Sequence, residues 1–170
     1  MTKQTLDRQW VQLRKKHNAY LRLLNSIPAE RYHSHIVSGM STTAEQAVHI
    51  SSAIIRDIAL GLAQGEIRTG ESAEARFIAD IGTKKAVIDY AKRCWDLADD
   101  AMATVDTPQL NTMIETPWKM SIPGWVAFNI LNDEFLHHYG QLYTFARLCG
   151  ADTPFLWGIS QGILEYRYAE

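Results

Sequence analysis

Four segments of about twenty or more residues carry apolar side chains at the helical period, and no segment alternates with period two long enough to make a sheet. That pattern confines the chain to the all-α class. The first predicted helix runs from about Leu6 to Ser26, with Trp10, Leu13, His17, Tyr20, Leu21 and Leu24 in register and Pro28 closing the segment. A second opens at Thr42-Thr43-Ala44-Glu45, a capping-box pattern in which hydroxyl and carboxylate satisfy orphan backbone donors. It continues through Ile50, Ile54 and Ile58 to near Gly65. The third spans about Thr83 to Val105. The fourth starts near Ser121 to Pro123, where a proline suits a first turn, and runs to a C′ glycine at Gly150 with Pro154 beyond.

Four long helices predict a four-helix bundle in one domain covering residues 1–170, with sites built between facing helices. The connections Pro28–Ser41 and Val105–Met120 are too long for simple turns and are expected to act as crossovers or pocket walls. Gly65–Ile81 is a third, partly helical at Ala73–Ile81, and Asn111–Met120 admits a short extended piece. The tail after Pro154 carries Phe155, Leu156, Trp157, Ile163 and Leu164, enough apolar surface to pack over the bundle.

At 170 residues and 46% hydrophobic, the chain can sustain a core. Its net charge is −2, and the one basic cluster, Arg14-Lys15-Lys16-His17, reads as a solvated face, so no nucleic acid is expected as partner. No apolar run is long enough for a membrane span, and the first residues lack the apolar core of a secretory signal. Cys94 and Cys149 are isolated, which fits reduced thiols in a cytoplasmic protein; a catalytic thiol is the alternative.

The fourth helix carries the chemistry. Glu134 and His138 stand one turn apart, expected to share a face with Leu131, Phe135, Leu142 and Phe145. A carboxylate among such neighbours needs a counter-charge or a metal ion. Either Glu134 and His138 present two ligands to one ion, or Glu134 pairs with a buried Arg or Lys and His138 is a hydrogen-bonded core histidine. Gln141 lies three residues past His138, close enough to orient a ligand or substrate. His137 points about 100° away, which favours His138 as the ligand. In the second helix, His49 falls at the edge of the Ile50/Ile54/Ile58 stripe with Gln46, Ala53, Asp57 and Leu60. The opposite face of the fourth helix, with Leu136, Tyr139, Gly140 and Tyr143, is expected to meet a second copy in a homodimer, or else the C-terminal tail.

Thr42-x-x-Glu45-x-x-x-His49 resembles the Ser/Thr-x-x-Glu-x-x-x-His opening of the second helix in DinB-like (DinB/YfiT-like) proteins. Thr116-Pro117-Trp118 resembles that family's segment before the last helix, and His137-His138-Tyr139-Gly140-Gln141 is similar to its signature His-His-Arg-Gly-Gln. The resemblance covers about residues 5 to 158. It implies a bundle holding a metal by three side chains, one from helix two and two from helix four. Carried over, these match His49, Glu134 and His138, with Glu134 where the family usually has His and Tyr139 where it has Arg. Two imidazoles and a carboxylate serve zinc, and the same set serves iron; nickel would also occupy such a site.

By that resemblance the expected function is that of a metal-dependent enzyme, a small-thiol-dependent S-transferase or a hydrolase-like protein. A low-molecular-weight thiol would be co-substrate, with Gln141 orienting the nucleophile and Asp57 supporting a ligand. The alternative is a non-catalytic small-molecule-binding or stress-associated dimer whose metal site is vestigial or structural.

Overall fold

The computed structural model describes residues 1–68 and 82–154. The helix expected over 73–81 and the apolar tail from 155 onward lie outside the described residues. Helix α1 (Lys3–Ser26) starts before the apolar pattern does, because the Thr2 hydroxyl caps it by accepting from the Thr5 N–H. Thr42 opens the second rod with the expected capping box: its N–H donates to the Glu45 carboxylate at 2.7 Å, and the Glu45 N–H donates to the Thr42 hydroxyl at 3.2 Å.

That rod, α2, has three consecutive stretches: α-helix over Thr43–His49, π-helix over Ile50–Arg56, and α-helix again over Asp57–Gln64. The widening has a local cause. The Ser52 hydroxyl donates to the Val48 carbonyl at 2.8 Å, competing for a backbone acceptor, and the Asp57 N–H reaches back five residues to Ser52. With more residues per turn, Ser51 and Ser52 are buried alongside Ile50, Ile54 and Ile55. Gly65 ends α2 in the left-handed region at φ 83°.

Helix α3 (Lys84–Thr104) is capped by Thr83. Two short features follow, the second beginning within the extended piece expected over Asn111–Met120. Helix α4 (Thr107–Asn111) is opened by a second capping box, Asp106 with Gln109. Strands β1 (Met113–Glu115) and β2 (Ser121–Pro123) then pair antiparallel, with Ile114 opposite Ile122. The start of the last helix, expected near Ser121 to Pro123, thereby shifts to just past the hairpin. Those residues are spent on the hairpin, Pro123 becomes the N-cap, and α5 runs Gly124–Leu148. Gly150 follows it at φ 71°.

Round the bundle the neighbours run α1, α3, α2, α5, so α2 packs on both α3 and α5. On the α1–α3 side a stack fills the core. Trp10 lies on Trp95 at 4.8 Å and 7°, and Trp95 lies on His17 at 4.3 Å and 19°. Such pairs add about 0.5–1.5 kcal/mol each beyond the area they bury. Asp99 accepts from the Trp10 indole at 2.7 Å and from the Arg14 guanidinium. The cluster expected as a solvated face is therefore split: Arg14 is tied to α3, and His17 is fully buried. Among the described residues no helix is long and apolar enough to cross a membrane.

Two outcomes follow from this packing. A Cβ on Gly61 would lie 2.5 Å from Ile67 Cγ1 and 2.7 Å from its Cα, so Gly61→Ala should cost about 1–3 kcal/mol where the same change in an open helix stabilises. A lowered urea midpoint checks it. Burial holds His17 down to about 3, against an opposing pull from Asp99. The unfolded imidazole gains its proton as pH falls through about 6.5 while the folded one stays neutral, so this contribution is whole above that pH and is lost below it. Stability should decline by about 1.4 kcal/mol per pH unit from this group between pH 6 and 4. His17→Phe should flatten that slope in urea melts, and an unchanged slope would exclude His17 as its source.

Candidate metal centre

The site lies where the first part of α2 meets the second half of α5. His49 is the last residue before the π stretch, and His138 faces it across the helix pair. Their rings stand edge to face, with centroids 5.0 Å apart and planes at 84°. Glu134, one turn before His138 on α5, brings its carboxylate to 3.4 Å from His138 Nε2.

The sequence reading set Glu134 on the apolar face of the last helix. Leu131, Phe135, Leu142 and Phe145 are buried, but the Glu134 side chain is half exposed and His138 keeps 18%. The two flank the core stripe, so Glu134 needs no buried counter-charge. Tyr139 is also corrected. It was expected on an outer face and is instead buried, stacked on Phe135 at 5.7 Å and edge-on to Tyr20 at 6.3 Å. Leu136 and Gly140 do face outward, while Tyr143 donates to the Pro154 carbonyl at 2.8 Å.

Amides enclose the other edge of His138. Gln141 Oε1 is 3.0 Å from its Nδ1, and Gln46, reaching across from α2, brings Nε2 to 2.5 Å of Nδ1 and 2.7 Å of Gln141 Oε1. Gln141 also holds His137 Nε2 at 3.0 Å, so the outer imidazole is tied into the same network. Gln141 thus touches His138 as its spacing predicted. Gln46 was placed only at the edge of helix two; its signal is that it precedes His49 by three residues, as His138 precedes Gln141. Burial lowers the pKa of His138; the Gln141 hydrogen bond opposes this, His49 and His137 reinforce it, and Glu134 opposes it. The balance is toward the neutral ring.

These separations can be compared with what one ion requires. Two imidazoles on a tetrahedral ion, each at about 2.1 Å, have centroids about 5 Å apart, and a ligating nitrogen and oxygen lie about 3.4 Å apart. Both pairwise distances fit a shared divalent ion. The three are not drawn together as a ligand set: among the described residues no group of three or more His, Cys, Asp or Glu side chains is arranged to hold a metal ion. Asp57 sits two turns further along α2, with the Arg56 guanidinium at 2.7 Å from its Oδ1. Arg56 continues to the Tyr90 hydroxyl at 2.9 Å and to Cys94 Sγ at 3.9 Å.

The described residues form a mainly helical bundle in which two imidazoles face each other between two of the helices. The chain belongs to the DinB superfamily, whose family model matches residues 12–142. Its fold is similar to that of a DinB-like protein from Bacillus cereus (TM-score 0.70, 18% identity, 91% of this chain and 97% of that one). A DinB-like protein from Bacillus subtilis is also similar (TM-score 0.67, 17% identity, 84% and 92%). So is a mycothiol-dependent maleylpyruvate isomerase, at TM-score 0.61 and 14% identity over 92% of this chain and 68% of that one. No curated protein matches the sequence.

Neither cysteine is set up as a nucleophile. Burial pushes the Cys94 thiol up to about 11 against the pull of Arg56, and burial raises Cys149 as well. At pH 7.5 iodoacetamide should therefore alkylate Cys94 in the folded protein roughly 100-fold more slowly than in the unfolded chain. Equal rates, read by mass spectrometry, would return the catalytic-thiol reading.

Proposed function

We propose that this protein is a metal-dependent enzyme in which His49, Glu134 and His138 hold a divalent ion, zinc, nickel or iron, and that a low-molecular-weight thiol is its co-substrate. The observation that carries this reading is the pair of facing imidazoles with ring centroids 5.0 Å apart, with a carboxylate 3.4 Å from His138 Nε2. The shared fold with a mycothiol-dependent isomerase supports a thiol as the reacting partner.

A bound divalent ion would supply Lewis acidity, favouring the deprotonated form of a thiol at neutral pH. The remaining work falls to the chain. His138 is kept neutral by its surroundings, which preserves a lone pair for ligation. Glu134 is half exposed, so it marks the solvent-facing side from which a small thiol and an electrophile would arrive. Gln141 lies against His138 and is only partly buried, able to orient a polar group of a bound molecule. In the overall reaction the thiol S–H bond and the electrophile's carbon–leaving-group bond break, a sulfur–carbon bond forms, and the proton and the leaving group, with its bonding pair, pass to solvent. The outer face of α5 around Leu136 and Gly140 is the proposed contact for a homodimer.

Protein purified without a nickel column should carry close to one divalent ion per chain by elemental analysis. Glu134→Gln should lower affinity for that ion about 10-fold or more and abolish thiol transfer to a small electrophile, while the helical circular dichroism is retained. Bacillithiol, mycothiol and glutathione are the thiols to screen. Wild-type protein free of metal, and unable to take it up, would overturn the reading. Full metal stoichiometry and affinity in Glu134→Gln would remove Glu134 from the ligand set.

A further inference from the structure

Gln46 is buried, at 5% exposure, and belongs to the helix opposite His138. Its amide nitrogen lies 2.5 Å from His138 Nδ1 and 2.7 Å from Gln141 Oε1, and that oxygen lies 3.0 Å from the same Nδ1. The arrangement is paired across the bundle. On α2 an amide precedes an imidazole by three residues; on α5 an amide follows one by three. Each helix therefore presents both groups on one face, and the two amides meet. Gln141 is itself steadied by His137 at 3.0 Å. An amide nitrogen only donates, so Nδ1 accepts from Gln46, the ring proton sits on Nε2, and that edge is the one turned to Glu134.

An imidazole can ligate an ion only if the ligating nitrogen lacks its proton and the ring is turned to the right side, and a hydrogen bond on the other nitrogen decides both. We infer that Gln46 is the positioning residue of this site: it fixes the ring and tautomer of His138 from across the helix pair and, through Gln141, braces α2 against α5 at the separation His49 and His138 need. The inference rests on the metal reading given above. Three properties suit glutamine to the task. It is long enough to cross, buried, and able to present either amide atom to Nδ1: its nitrogen holds the Nε2–H form of the ion-free ring, and with the amide turned over its oxygen would hold the Nδ1–H form that an ion on Nε2 requires. Leucine of similar size would offer neither atom. Glutamate keeps the reach and accepts only, which holds the Nδ1–H form that leaves Nε2 open.

The test uses the full chain as wild type, Gln46→Leu and Gln46→Glu, each stripped of metal and titrated with Zn²⁺ against a chelator of known affinity. Gln46→Leu should bind Zn²⁺ about 10–100-fold more weakly, and Gln46→Glu as tightly as wild type or more tightly. A second readout needs no metal. In ¹⁵N-histidine spectra of the ion-free proteins, His138 should show one dominant tautomer in wild type and a mixture in Gln46→Leu. A Gln46→Leu protein with wild-type zinc affinity, or with the wild-type tautomer, overturns the inference. Should Gln46→Leu not fold, Gln46→Glu decides, since weaker zinc binding in that variant also overturns it. Should wild type itself bind no zinc, the metal reading fails, and the tautomer comparison still decides whether Gln46 sets the ring.

Discussion

The contact that everything at the site depends on is the packing of α2 between α3 and α5. One rod has to satisfy two neighbours, and it does so by widening into a π stretch directly after His49. Within that stretch Ser51 and Ser52 turn inward with the isoleucines, and Ser51 lies 3.0 Å from the Tyr20 hydroxyl, which also reaches the Ala47 carbonyl. The turn that carries Gln46 and His49 is thereby anchored from α1 while its outer edge stays against α5. Buried polar groups held by several partners have few alternative positions, and this rigidity is what a pair of ligating side chains requires.

The same logic separates the two aromatic regions of the bundle. Between α1 and α3, Trp10, Trp95 and His17 form a dry stack with Asp99 at its rim, and the imidazole there is neutral because burial makes its charge costly. Between α2 and α5, His49 and His138 remain partly open to solvent, and two amides meet His138 at Nδ1. Histidine thus serves the core in one place and the proposed metal site in the other. The distinguishing features are solvent access, and neighbours that can exchange hydrogen bonds.

Much of the architecture was legible from residues alone. The periodic stripes located all four long helices, and Thr42 with Glu45 marked the start of α2 through their own hydrogen bonds. Glycines 65 and 150 marked helix ends because only a left-handed residue closes them cheaply. The failures also have physical causes. A 3.6-residue template cannot register a π stretch, so the inward turn of Ser51 and Ser52 went unread. Ser121–Pro123 looked like a helix start because proline suits a first turn, but pairing with Met113–Glu115 claims those residues first. At the site, spacing alone brought His138 and Gln141 together. It could not place Gln46, whose role arises only when two helices meet, and it set Glu134 too deep because the edge of a stripe looks much like its centre.

A helix with a π turn carries one residue more than its length in regular winding would need. In the history of a protein lineage that surplus behaves as an insertion absorbed locally, with the strain confined to a single turn. Excising one residue from Ile50–Arg56 would restore ordinary coiling and swing everything upstream by about 100° relative to Asp57. The end of the rod bearing Gln46 and His49 would then rotate away from its neighbour while the far end stayed seated. The superfluous residue is therefore what aims one helix at the other.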